Sequence, residues 1–276
     1  MGKSNQSTQE INSQAQNPLG TAPVGGLIAK FAIPAIISML VSAMYNIVDQ
    51  IFIGQGVGML GNAATNVAFP VTTIATALAL LLGIGGASNY NLEMGAGQEK
   101  KASGIAGTAL SSLVISGLIL AVIALVFLKP LLTLFGATTD VMPYAVAYTG
   151  ITALGLPFYI LSVGGNHVVR ADRSPTYSMT CIMIGAIINT ILDPVFIFVF
   201  GWGIKGAAWA TVIGQVVSGV LVIVYFWKFR NMYLTGAMLK PKMPYLKAII
   251  SLGLASCINQ IAMAIVQIVQ IGRAHV

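Results

Sequence analysis

Two aspartates stand where aspartate is expensive. Asp49 lies in YNIVDQIFIG and Asp193 in NTILDPVFIF, runs that are otherwise almost wholly apolar. At the centre of a membrane-spanning helix an aspartate costs about 2.5–3.5 kcal/mol on insertion scales, so it is expected to face a cavity or a partner. Each has polar company at helical spacing. Tyr45 is four residues before Asp49 and Asn46 three before it, and Asn189 is four before Asp193, so each set shares a face. Pro194 removes a backbone donor beside Asp193, which loosens the helix there and frees a carbonyl. No Lys or Arg lies deep in any of the apolar runs. Two carboxylates without a cationic neighbour have to be neutralised by protons, by a bound metal ion or by a cationic ligand, and a site of that kind binds cations reversibly. The competing reading is that Asp193, only seven residues before Phe200, caps the outward end of its helix and touches interfacial water.

The other titratable residues point to less. Glu10, Glu93, Glu99, Asp140 and Asp172 fall in the amino-terminal stretch, in loops or at helix ends, and read as solvated charges. His167 stands alone near a helix end, where a surface role is expected. Cys181 and Cys257 lie within apolar runs as packing thiols. No HExxH motif, serine–lysine dyad or His/Glu/Asp metal cluster occurs within the runs, so an enzyme is not expected.

The elements that carry these residues are helices sized for a bilayer. Of 276 residues, 57% are hydrophobic and 8% charged, against about a quarter charged in a soluble domain, and mean hydropathy is +0.86. Apolar runs of about 20 residues or more fall at 31–54, 64–89, 104–128, 143–164, 179–200, 206–227 and 248–270. The fold class is therefore all-α integral membrane. Residues 1–26 are polar and rich in Gln, Asn and Ser, the composition of a disordered tail, and they lack the order of a cleaved signal peptide.

The net charge of +7 is a topology signal rather than a nucleic-acid footprint. With the tail placed in the cytoplasm, Lys3, Lys30, Lys100, Lys101, Arg170, Arg173, Lys228, Arg230, Lys240, Lys242 and Lys247 fall on that side. Only Lys129 and Lys205 face outward. That bias predicts a multi-pass protein with a cytoplasmic amino terminus, its basic side touching anionic membrane lipid. GAGQEK is not a nucleotide loop, because no GxxxxGK[ST] pattern occurs in the chain.

The longest internal connection, 229–247, reads as a loop between two lobes. Placing IPAIISMLVSAMYNIVD (33–49) over LASCINQIAMAIVQIVQ (254–270) pairs NIVD with QIVQ and Ala43 with Ala264. The opening of a second, repeated half would look like this. The last letters, IGRAHV (271–276), match one translated frame of a common short-read sequencing adapter, so they are expected to be an artefact, with the natural sequence continuing beyond Gln270.

The segments IPAIISMLVSAMYNIVDQIFIGQ, EMGAGQEKKAS, NTILDPVFIF and GIKGAAWATVIGQ, in order over residues 27–270, resemble the multidrug and toxic compound extrusion (MATE) transporters of the bacterial multidrug efflux type. One departure is Gln98, where many relatives have Asp. The resemblance implies twelve helices in two six-helix bundles, of which this chain holds the first lobe (27–228) and the first helix of the second (248–270). It implies an inner-membrane antiporter, monomeric when full length, that exports small organic cations in exchange for H⁺ or Na⁺, with no other cofactor. It also places a cation-coupling site on Asp49, Asn189, Asp193 and Thr211. Tyr45, Asn46 and Pro34 support that site, Pro34 as a bending point, and Asp49 and Asp193 are the metal ligands if Na⁺ couples. Three rivals stand beside this reading: a lipid-linked oligosaccharide flippase of similar plan, a membrane-embedded enzyme or receptor, and a lobe with a purely structural role. The flippase would need Arg or Lys inside its cavity to hold anionic cargo.

Overall fold

A computed structural model describes residues 24–227 and 236–274 of the chain. The expectations for residues 1–23, for 228–235 within the inter-lobe loop and for the final two residues lie outside the described residues. Eight α-helices run in order: α1 (Val24–Gly56), α2 (Met59–Gly95), α3 (Glu99–Val126), the short α4 (Leu128–Leu134), α5 (Met142–Ala171), α6 (Pro175–Pro194), α7 (Ile204–Trp227) and α8 (Met243–Ala274). All but α4 are long and apolar enough to cross a membrane, which makes seven candidate spans. The chain is a multi-pass helical membrane protein.

At two of the places where the helices depart from the expected runs, proline explains it. The third run was expected to extend through residue 128, but α3 stops at Val126 and α4 begins at Leu128. Pro130 has no N–H to give the carbonyl of Val126, so the chain breaks and restarts around Phe127. Pro194 acts in the same way at the end of α6. The next turn, Val195–Val199, widens to a π-helix, closed by the Phe200 N–H donating to the Val195 carbonyl at 2.9 Å. Phe196, Phe200 and Trp202 then cluster with ring centroids 5.2–5.7 Å apart, an aromatic end of the sort that settles at a membrane interface.

The bundle is built around α5, which packs on α2, α3, α6 and α7, while α1 leans mainly on α6. Its core is made of small side chains: Ala75, Ala79, Ala106, Ala109 and Ala153 are essentially inaccessible. In lipid, where apolar surface gains little from leaving solvent, close backbone approach has to supply the packing energy. The same device docks α8 on α2. A Cβ added to Gly253 would fall on the Leu81 carbonyl, and one added to Gly85 would fall on the Ile249 carbonyl. Beside this crossing the Asn89 amide donates to the Ala248 carbonyl at 3.0 Å.

Asp172, expected to be a solvated charge, is buried. It follows α5 in the turn to α6, where Tyr90 of α2 donates to its Oδ1 at 2.8 Å and Tyr225 of α7 donates to its Oδ2 at 2.7 Å. The Tyr225 hydroxyl also reaches Ser174 Oγ at 2.6 Å, and Arg173 between them takes a left-handed φ of 60°. Position in a short polar loop suggested exposure, but the two tyrosines, more than fifty residues away in sequence on either side, close over the carboxylate. Hydrogen bonds to a charged group are worth about 1.5–3 kcal/mol each. Tyr225→Phe is therefore expected to lower the thermal unfolding midpoint in detergent by several degrees, and Tyr177→Phe, whose hydroxyl donates to the neutral Leu221 carbonyl at 2.9 Å, to lower it less.

Candidate functional site

Helices α6 and α7 cross at Gly185 and Gly214. A Cβ on Gly185 would lie 2.9 Å from the Gly214 carbonyl, and one on Gly214 would lie 2.8 Å from the Gly185 carbonyl. Contacts that short exclude any side chain, so the two backbones touch. One turn along α6 from this crossing is Asn189, set directly against Thr211 of α7. In the amide orientation that satisfies both ends, Asn189 donates to Asp193 Oδ2 at 3.3 Å and accepts the Thr211 backbone N–H at 3.2 Å.

The first helix brings the second carboxylate. Asp49 and Asp193 are 6% and 0% exposed, from helices far apart in sequence, and their carboxyl groups meet within hydrogen-bond reach. Two carboxyl groups in such contact share a proton or clasp a cation, since both cannot stay ionised side by side at low dielectric. Gln50 also reaches Asp49, and Thr65 Oγ1 donates to Gln50 Oε1 at 3.1 Å. Among the described residues Asp49 Oδ1 is buried with no hydrogen-bond partner, which leaves it as an acceptor for a proton or a small cation. Among the described residues no basic side chain pairs with either aspartate.

Of the residues read from the sequence, Asp49, Asn189, Asp193 and Thr211 come together, and Tyr45 stands close to both carboxylates. Asn46 does not join them: its amide donates to the Ser42 carbonyl at 2.6 Å and its side chain is exposed. Pro34 lies well before the site within an unbroken α1, with Ser38 Oγ donating to its carbonyl at 2.7 Å. Tyr148 of α5 escaped the sequence reading. It is buried against the two carboxylates, with its hydroxyl toward Thr211. A tyrosine in an apolar run reads as packing, and only the tertiary arrangement turns its hydroxyl toward the site. Among the described residues no group of three or more His, Cys, Asp or Glu could hold a metal, so a metal ion here would rest on two carboxylates, amide and hydroxyl oxygens.

A cavity of about 260 Å³ adjoins the site, lined in part by Tyr45, Asn189 and Thr211. Two expectations change here. His167 is half-buried rather than on the surface, and with Arg170 it lines this cavity. Arg170 belongs to the last turn of α5, which explains its absence from the apolar interior in the sequence, but its long side chain reaches inward and donates through Nε to Ser178 Oγ at 3.0 Å.

The sequence matches the MatE family over residues 34–195, more than half of the chain. The chain belongs to the MatE family. Among curated relatives it is 28% identical over 243 residues to the multidrug export protein MepA of Staphylococcus aureus (strain MRSA252), an alignment covering 88% of this chain and 54% of MepA. It is 31% identical over 196 residues to MepA of Staphylococcus haemolyticus (strain JCSC1435), covering 71% and 43%. Among solved structures it superposes on a ligand complex of the MATE multidrug transporter DinF-BH with TM-score 0.84 and 32% identity over 91% of this chain and 56% of that one. An outward-facing MATE transporter of the MOP superfamily gives TM-score 0.79 and 30% identity over 86% and 53%. The chain thus spans about half the length of the MatE relatives it matches, which are named as a multidrug export protein and a multidrug transporter.

Proposed function

We propose that this chain is the first lobe, residues 27–228, and the opening helix of the second, residues 248–270, of a multidrug exporter that releases organic cations from the cell in exchange for H⁺ or Na⁺. The observation that carries this is the buried pair Asp49 and Asp193, from α1 and α6, with no basic partner among the described residues. Coupling requires that the ion and the drug favour different states of the protein. The pair supplies a group whose charge changes when the ion binds. α1 supplies a part able to respond, because it is held mainly by α6 and carries Pro34 within its length. On the tail-in orientation predicted by the positive-inside bias, α5 ends and α6 begins at the cytoplasmic face, and the aromatic cluster after α6 lies outside.

Arg170 in the adjoining cavity is the feature that leans toward an anionic cargo and hence toward a flippase. Its Nε is tied to Ser178, whereas Asp49 and Asp193 are buried against each other with no basic partner among the described residues, so cation exchange explains more of the lobe. The deciding assay follows uptake of a fluorescent organic cation into inverted vesicles, made from cells expressing the gene at its native locus, under an imposed pH gradient or an imposed Na⁺ gradient. One gradient is expected to drive transport severalfold above the undriven rate. Indifference to both would defeat the exchange reading.

A further inference from the structure

The polar lining of the lobe does not end at the carboxylates. From Asn189 and Thr211 it continues along α7 through Gln215 and Ser218, and along α5 through Ser162 and Asn166, to His167 and Arg170. Ser162 and Ser218 hydrogen-bond each other at 2.6 Å across the two helices. A second cavity, about 520 Å³, begins where the first ends. His167 and Arg170 line both, and the second extends past Ser88 to Met94, Gly95 and Arg173 at the ends of α2 and α5. End to end the two cavities lead from Asn189 and Thr211, which border the carboxylate pair, to the face on which α2 and α5 finish.

Two buried oxygens along this line lack partners. Asn166 is 1% exposed, and its Oδ1 has no hydrogen bond although its amide nitrogen donates to the Ser162 carbonyl at 2.8 Å. Gln215 Oε1 is likewise buried and unbonded. Both side chains line the first cavity. A buried amide oxygen left bare is costly, and the adjoining cavity is large enough for several waters with which either could pair once its side chain turns outward.

We propose that these two cavities form one hydrated route, inside the lobe, by which the coupling cation passes from the Asp49–Asp193 pair to the cytoplasm. The proposal rests on the exchange reading given above. Asn166 and Gln215, both lining the first cavity, flank the water chain between the carboxylate end and the mouth. Arg170, fixed by Ser178, makes the inner mouth positive, which keeps the cation from lodging there and favours anions from the cytoplasmic side.

The test starts from a protein with Cys181 and Cys257 changed to alanine, carrying Ser162→Cys, Ser218→Cys or, at the mouth, Ser88→Cys. Inside-out vesicles are treated with membrane-impermeant methanethiosulfonates, one anionic (sulfonatoethyl) and one cationic (trimethylammonium-ethyl). Rates are scaled to those with a free thiol. Cysteines at 162 and 218 are expected to react from the cytoplasmic side, the anionic reagent about tenfold faster, with Arg170→Gln erasing the preference. Reaction at position 88 but not at 162 or 218, or reaction only from the outer face, would overturn the route, as would a preference that survives Arg170→Gln. Asn166→Leu and, from the opposite helix, Gln215→Leu are expected to slow both labelling at 218 and gradient-driven drug exchange about tenfold. Full exchange in both variants would also overturn it. Labelling needs no transport, so a failed route and a failed exchange reading give different results.

Discussion

Cells expressing Asp193→Asn, or Asp49→Asn, from the native locus are expected to lose drug efflux while retaining the inserted protein. Asparagine keeps the size of the side chain and most of its hydrogen bonds, so Asn189 can still meet residue 193 and the α6–α7 contact survives. What disappears is the charge that changes when an ion binds. With Asp193 and Asp49 buried against each other, removing one carboxylate lets the other keep a proton or leaves it to hold an ion without a second anionic oxygen. Either way the ion no longer favours one state over the other. Coupling free energies of about 1–3 kcal/mol correspond to about 5–150-fold, so gradient-driven export should fall by that order, to the background of cells lacking the gene. The measurement is dye efflux alongside the amount of protein in the membrane fraction. Wild-type efflux in both variants would leave the pair without a role.

Gly214→Val is expected to be the most damaging change outside the carboxylates. Its Cβ would lie 2.8 Å from the Gly185 carbonyl and 3.2 Å from the Asn189 Cβ, and neither neighbour can yield without moving α6. Forcing extra methyl groups into a close-packed contact costs about 1–3 kcal/mol. Here the displacement also pulls Asn189 away from Thr211, loosening Asp193. The expected result is reduced thermal stability in detergent together with loss of efflux. Gly25→Val, at a position with open space around it, serves as the control and should leave both unchanged. If Gly214→Val transports normally, the crossing does not position the site.

MepA is described as a multidrug export protein and DinF-BH as a multidrug transporter. The chain shares the DinF-BH architecture over 91% of its length, and two of its own buried residues, Asp49 and Asp193, are acids. An apolar lobe that buries two acids has to admit a positive charge to remain folded at neutral pH.

Much of this was legible in the residues. The seven spans follow from runs of apolar side chains long enough to cross lipid, a property of composition that no packing arrangement can reverse. Asp49, Asn189 and Asp193 announced themselves because acids and amides are costly in such runs, and Pro194 announced the irregular turn because proline cannot continue the ladder. Residues that are ordinary in a membrane helix, or ordinary in a loop, carried no such mark. Tyr148 is indistinguishable from a packing tyrosine until α5 turns it toward Thr211. Asp172 looks like loop charge until Tyr90 and Tyr225 close over it, and His167 and Arg170 look like surface residues until α6 and α7 wall them in. Local chemistry is written in residue type and spacing, so it determines which segments enter the membrane and which of their groups are under strain. Which of those groups share a site depends on helix crossings at Gly185 and Gly214 and on long-range contacts, and only the assembled bundle decides that.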